Sequence, residues 1–433
     1  MNAQGVEPVA ADKRRILITG LSTFWGGRMA QELERDPANE AIVGVDSRDP
    51  TCELERTEFV RIGTQHSLIR RIVHAAEIDT VIDTRLVVDS AWTSPRRAHE
   101  NNVIGTMNIL AACGGPESPV RKFVFKSSAH YYGCERDDPA FFGEEMERPH
   151  PPGTPIERDI VEAESAVAGF AQRNRDKTVT VLRFANGIGP HLRTSHSQLF
   201  ALPAVPTILG FDPRYQFIHE DDIVGCLEHV VANDLPGTFN GAADGVLALS
   251  EVVGLLGKQL APVLPPWGTG LLAGPLRRLG LRIPVEMLNQ LRYGRGLDNR
   301  NLKAAGFGYR YTTRETVIEH GKAMRLGPLL RGAQEPYRYE QEVEEFLRWS
   351  PSVRRTGDTA GPERTRNRPA PGPGGAPEYE DLEADEVIAV LGSLGEEDLE
   401  ALRRHETGHA GRPEVLEAIA RILALSRSPE RER

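Results

Sequence analysis

The chain has 433 residues, 39% hydrophobic and 26% charged, which supplies a full core, excludes wholesale disorder and suits two to three domains. Lys and Arg number 52 against 62 Asp and Glu, a net charge of −10 that argues against a nucleic-acid partner. Its 4 cysteines lack CxxC spacing, which disfavours a disulfide framework or thiolate zinc site, and no apolar run reaches the ~18 residues of a membrane span, so no stable membrane insertion is expected.

The N-terminal segment carries no signal-peptide run, and the expected location is cytoplasmic. Short β-branched or apolar runs at 15–19, 41–46, 80–83, 122–125 and 179–183 predict strands, with helix-length segments between them. That alternation predicts βαβ units and a buried, doubly wound parallel sheet of α/β class. Past residue 186 the alternation weakens and Pro and Gly become frequent, as in a smaller, loop-rich substrate domain. The apolar stretch 265–281 reads as a helix pair of that domain, with a membrane-surface segment as the alternative. Residues 337–349 form an amphipathic pattern that would pack on the core.

Residues 352–377 contain five Pro, five Gly and five Arg and read as a flexible linker. Residues 378–433 hold 15 acids and 7 Arg and read as three short helices around a small apolar centre. The tail is either a solubilising appendage or a docking module for a protein partner. Within it His405-Glu406-Thr407-Gly408-His409 reads HExxH, but Gly408 interrupts the helix that a zinc site needs, and no metal is expected.

The strongest local signal is Thr19-Gly20-Leu21-Ser22-Thr23-Phe24-Trp25-Gly26-Gly27, which follows a strand and opens a helix. Glycines admit a pyrophosphate to the backbone, and the helix start offers free N–H groups. Asp46, 20 residues past Gly26, ends the next strand and suits a ribose diol, favouring NAD over NADP, although Arg48 lies close.

Six segments in order make the chain resemble the extended short-chain dehydrogenase/reductases of the NAD-dependent epimerase/dehydratase group, the group of UDP-galactose 4-epimerase. The glycine turn is similar to TGxxGFIG, with Trp25 for the Ile. Asn101-Asn102-Val103 resembles the NNVxGT helix, Ser127 to Gly133 the SSxxxYG strand end, and Leu182 to Pro190 the LRxxNxxGP segment. Phe217 to Asp222 resembles FIHxxD, and Arg295 to Asp298 resembles RxxD. The resemblance covers residues 13–330. It implies a Rossmann-type domain at 13–185 with a returning segment near 216–240, and a mainly substrate-binding domain at 186–330. Residues 331–351 would then be a packing helix. It further implies NAD held by Gly20, Thr23, Phe24, Trp25, Gly26, Asp46, Arg85 and Asn102. A nucleotide-linked sugar would be held by Asn186, Arg214 and Arg295, and a homodimer is compatible with the family.

The departures bear on chemistry. Thr23 stands at the middle glycine, where a Cβ crowds the pyrophosphate. Gly63 replaces the acid near the adenine. Arg85 stands at a small-residue position, where it either clashes with the cofactor or pairs with its phosphates. The family's Tyr-x-x-x-Lys pair falls on Ile156 and Ile160, and no tyrosine occurs between Tyr132 and Tyr215. The lysine normally lowers the tyrosine pKa so that the phenol can move a hydroxyl proton. Ser128 aligns with the substrate-contacting serine, and His130 is the remaining acid/base candidate, expected to ionise near neutral pH. Two functions follow: an atypical hydride-transferring enzyme, or a non-catalytic nucleotide-binding protein with a docking tail.

Overall fold

The computed structural model describes residues 13–62, 65–264, 284–326, 396–408 and 412–426. The chain divides into two compact units, residues 1–336 and 337–433. The expected packing helix 331–351, the linker 352–377, the apolar stretch 265–281 and the first tail helix lie outside the described residues.

In the first unit the apolar runs form strands buried on both faces. The main sheet holds β1 (Arg14–Thr19), β2 (Asn39–Asp46), β3 (Thr57–Arg61), β4 (Thr80–Asp83), β5 (Lys122–Ser128), β6 (Thr178–Phe184) and β7 (Gly237–Gly241). Their spatial order is β7-β6-β5-β4-β1-β2-β3, parallel throughout. Side chains alternate between two cores. Leu17, Val43, Val81, Phe123 and Val179 enter one core, which also takes side chains of α2 (His66–Ala75), α4 (Gly105–Cys113) and α5 (Pro155–Arg173). Ile16, Ile18, Ile42, Ile82 and Leu182 enter the other, with α1 (Phe24–Glu34) and α7 (Glu220–Ala232). Full burial of each such side chain stabilises by roughly 1.5–3 kcal/mol.

Strand order reverses between β1 and β4. Chain segments diverge there and leave a crevice at the carboxyl ends of the strands, the place where such sheets bind ligands. A helix α3 (Pro95–His99) runs through a π-helical turn, Glu100–Ile104, into α4. Helix α5 starts sharply because Thr154 accepts from Glu157 N and Pro155 takes the first turn.

The remainder of the first unit builds a small four-stranded sheet from Phe141–Phe142, Arg214–Tyr215, Leu247–Ala248 and Gly294–Leu297. Beside it, α6 (Ser195–Ala201) and α8 (Val285–Tyr293) contribute Leu199, Phe200, Met287 and Leu291 to a third apolar core. In the second unit, the helices Glu396–Gly408 and Pro413–Ser426 bury Leu399, Leu402, Val415, Ile419 and Leu423.

Candidate functional site

The glycine turn closes on itself. Gly20 has φ +88°, and a Cβ on Gly26 would come within 2.1 Å of Gly20 O, so only glycine lets α1 begin so close to the end of β1. Thr23 caps α1: its Oγ1 accepts from Gly26 N at 3.0 Å and donates to Gly20 O at 2.7 Å. Its hydroxyl therefore takes up one of the free helix N–H groups, a role the expectation of simple crowding missed.

A cavity of about 300 Å³ opens at the ends of β1, β2 and β4, lined among others by Thr19, Asp46, Ser47, Arg85 and Asn101. Asp46 Oδ2 accepts from Ser22 N at 3.0 Å and Ser22 Oγ at 2.6 Å. Its Oδ1 accepts from Ser47 N at 2.6 Å and from Ser47 Oγ at 3.3 Å. A ribose hydroxyl would compete most easily with that last, long contact.

Arg85 is neither loose nor unpaired. Its guanidinium forks onto the buried Asp83, Nε to Oδ1 at 3.1 Å and Nη2 to Oδ2 at 3.0 Å. Nη1 also donates to Asn101 O at 3.3 Å. The side chain threads between two glycines: a Cβ would lie 2.5 Å from its Cγ at Gly20 and 2.4 Å from its Nη1 at Gly105. Asn102 is fully buried and spans the loop after β4, Oδ1 accepting from Val87 N at 2.8 Å and Nδ2 donating to Val87 O at 2.7 Å. It therefore fixes that loop rather than presenting its amide to a ligand. Phe24 and Trp25 meet edge to face, 5.0 Å between centroids. Gly63 lies outside the described residues.

Beyond the ends of β4 and β5 lies a smaller cavity of about 90 Å³. Ser128, His130 and Asn186 line it, and so do Asp89, His196, Glu286 and Gln290, which the sequence did not single out. His130 Nε2 lies 3.2 Å from the Gln290 amide nitrogen, which places the ring proton on Nδ1, donated to Ser128 Oγ at 2.8 Å. Burial, then the charge of Arg295 and the neighbouring His196 and Arg148, push the His130 pKa well below the histidine range. His130 is a neutral ring at pH 7, which corrects the expected ionisation near neutrality. Burial likewise lowers His196 to about 4.

Arg295 donates Nη1 to Gly133 O at 2.8 Å. Arg214 is not brought to the pocket. It is exposed, and the next residue along the strand, Tyr215, turns inward, its ring centroid 5.6 Å from that of His196.

Ile156 and Ile160 lie on the face of α5 that also carries Glu164, four residues apart each time. Both are essentially unexposed and pack in the core with Leu86, Ala98 and Phe125. Glu164 forks onto Arg183, Nη2 at 2.7 Å, and accepts from Ser127. Arg183 lies 3.5 Å over the Tyr131 ring and donates to Tyr132 Oη. Another residue the sequence reading passed over is Lys126, on β5. It is 4% exposed and lies 5.0 Å from the centre of the Trp25 ring and 5.9 Å from that of Phe184, and burial lowers its pKa to about 8.

The acidic motif after Phe217 is used up in structure. Asp222 accepts from Arg310 N and Tyr311 N, and Glu220 from His191 N and Leu192 N. In the second unit Glu406 of the HExxH segment is buried and accepts from Arg412 Nε at 2.8 Å, which binds the two helices together. Among the described residues no group of three His, Cys, Asp or Glu could hold a metal. Nor is any described helix long and apolar enough to cross a membrane.

Residues 16–241 match the NAD dependent epimerase/dehydratase family, and the chain belongs to it. It is similar to the uncharacterised protein Rv0501 of Mycobacterium tuberculosis, 33% identical over 327 residues, covering 73% of this chain and 85% of that protein. Among solved structures, MoeE5 in complex with UDP-glucuronic acid and NAD covers 72% of this chain and 99% of its own, with TM-score 0.54 and 21% identity. The Thermotoga maritima UDP-glucose 4-epimerase with UDP-glucose has TM-score 0.55 and 19% identity, over 72% of this chain and 98% of its own.

Proposed function

We propose that the chain binds NAD across the carboxyl ends of β1, β2 and β4 and acts on a nucleotide-linked sugar by hydride transfer, with the proton moved by a group other than a tyrosine. The observation that carries this reading is the pair of cavities at the strand-order reversal, one walled by Asp46 and one by Ser128. A cradle that a Cβ would fill, at Gly20 and Gly26, fits a dinucleotide backbone, and Asp46 fits its ribose. When bound, NAD would supply the hydride acceptor. Ser128 Oγ keeps its own proton to donate to a sugar oxygen, because it accepts from His130. Asn186 and Arg295 would meet the nucleotide diphosphate; an arginine fork matches phosphate oxygens. Titration calorimetry tests the reading. NAD should bind in preference to NADP, and Asp46→Ala should weaken NAD by ~1–3 kcal/mol. Equal affinity for both cofactors, unmoved by that substitution, refutes it.

A second reading, a non-catalytic sensor of nucleotide or scaffold for a partner of the tail, is favoured by one observation: Ile156 and Ile160 are core residues. It requires NAD to bind without any reduction of the cofactor in the presence of UDP-glucose or UDP-galactose.

A further inference from the structure

The 90 Å³ cavity holds two carboxylates that no part of the mechanism above uses, Asp89 from the loop after β4 and Glu286 from the first turn of α8. They are not alike. Asp89 is committed: Oδ2 accepts from Ser195 N at 3.0 Å and also from Ser195 Oγ, and Oδ1 accepts from Ala91 N at 2.9 Å. Glu286 is 4% exposed, and one of its oxygens, Oε2, accepts from Ser90 Oγ at 2.9 Å. Two further polar atoms of the lining, Gln290 Oε1 and His196 Nε2, on residues 1% and 8% exposed, make no hydrogen bond of good geometry, although the Gln290 side chain lies close enough to His196 to favour its protonated form. An acceptor left bare in a buried pocket costs free energy that a ligand hydroxyl recovers.

We propose that Glu286 is the proton-transfer residue of this pocket, doing there what the absent phenol would do, and that its ligand is a polyhydroxylated sugar read by Gln290 and His196. The proposal rests on the function proposed above. As the sugar carbon is oxidised, its hydroxyl O–H bond breaks, the proton passes to the Glu286 carboxylate, the O–H pair becomes the C=O bond, and the hydride leaves to the oxidised nicotinamide, which is reduced. Return of the hydride takes the same proton back. Asp89 is a positioning residue, because its charge holds the Glu286 proton in place. Burial raises the Glu286 pKa above its ordinary value, opposed by hydrogen bonds from its own backbone N–H and from Ser90 and helped by the charges of Asp89 and of Glu157 on α5. The other titratable groups of the lining, His130 and His196, are neutral. Arg148 is engaged by Glu157, and Arg295 by Gly133 O.

The test is single-turnover reduction of NAD by UDP-glucose in the full chain, followed across pH, with UDP-glucose binding measured by calorimetry on the same samples. Glu286→Gln should bind UDP-glucose within about 3-fold of wild type yet reduce NAD ~10²-fold or more slowly. Asp89→Asn should move the acid limb of turnover to lower pH, since removing a neighbouring negative charge lowers the pKa of the base. A Glu286→Gln protein that reduces NAD at the wild-type rate with the wild-type profile overturns the assignment and leaves the hydride-transfer function standing. Wild-type protein that binds both ligands without reducing NAD overturns Glu286 and favours the sensor. Failure to bind either ligand overturns the proposed function itself.

Discussion

Lys126 shows what a single substitution inside an apolar strand costs. Its ammonium sits against two aromatic rings, and its proton affinity falls from 10.5 to about 8 because burial penalises the charged form. Between those two pH values the unfolded chain binds more protons than the folded one, so stability rises with pH across that window. Below it the folded state carries the full penalty, roughly 3 kcal/mol for a shift of that size. Lys126→Met keeps the volume and removes the charge. It should raise the urea midpoint at pH 7 and abolish the gain in stability between pH 8 and 10.5. A variant that is less stable at pH 7 would show that the ammonium is stabilised by its surroundings rather than tolerated.

Helix α5 is held in register by a buried charge pair. Glu164 is locked to Arg183 of β6 and to Ser127 of β5, and that contact turns Ile160 and Ile156 into the core. The shared face was legible in the sequence, since the i, i+4 spacing puts Ile156 and Ile160 on one side of the helix. The packing around them was not legible, because Leu86 and Ala98 reach it from another part of the chain. Ile160→Lys would set an unpaired ammonium in a fully buried site and should lower stability by roughly 3–5 kcal/mol, seen as a large fall in melting temperature. A variant that melts like wild type would mean the space is open to solvent or to a counter-charge. The parallel strands were legible because both of their faces are buried. Strand β3 was not, since its residues Glu58 and Arg61 are exposed and it lacks an apolar run; β7 reads Gly-Thr-Phe-Asn-Gly and pairs only through its neighbour β6. The glycine turn and Ser128 could be read from short motifs. Asp89 and Glu286 could not, because nothing local marks two acids so far apart in the chain as lining one cavity.

At the scale of the molecule, the division at residue 336 separates two units, each with its own apolar core. The first has three packed layers around a seven-stranded sheet, closed on both faces by helices. The second buries Leu399, Leu402, Val415, Ile419 and Leu423 within its own pair of helices, and the Glu406–Arg412 pair satisfies the buried carboxylate inside that same pair. Among the described residues, the apolar side chains of these three cores of the first unit all come from before residue 327. The stability of the first unit should therefore be independent of the second. A chain ending at Pro336 should melt within about 4 °C of the main transition of the full protein, because each kcal/mol lost from a domain of this size moves the midpoint by ~2–4 °C. It should also retain its affinity for NAD, since every residue proposed to hold the dinucleotide lies before residue 103. A fall of 10 °C or more (roughly 3 kcal/mol on the same scale), or insoluble protein, would show that the second unit packs on the first and completes its core. Loss of NAD affinity at an unchanged melting temperature would instead place part of the ligand site beyond Pro336.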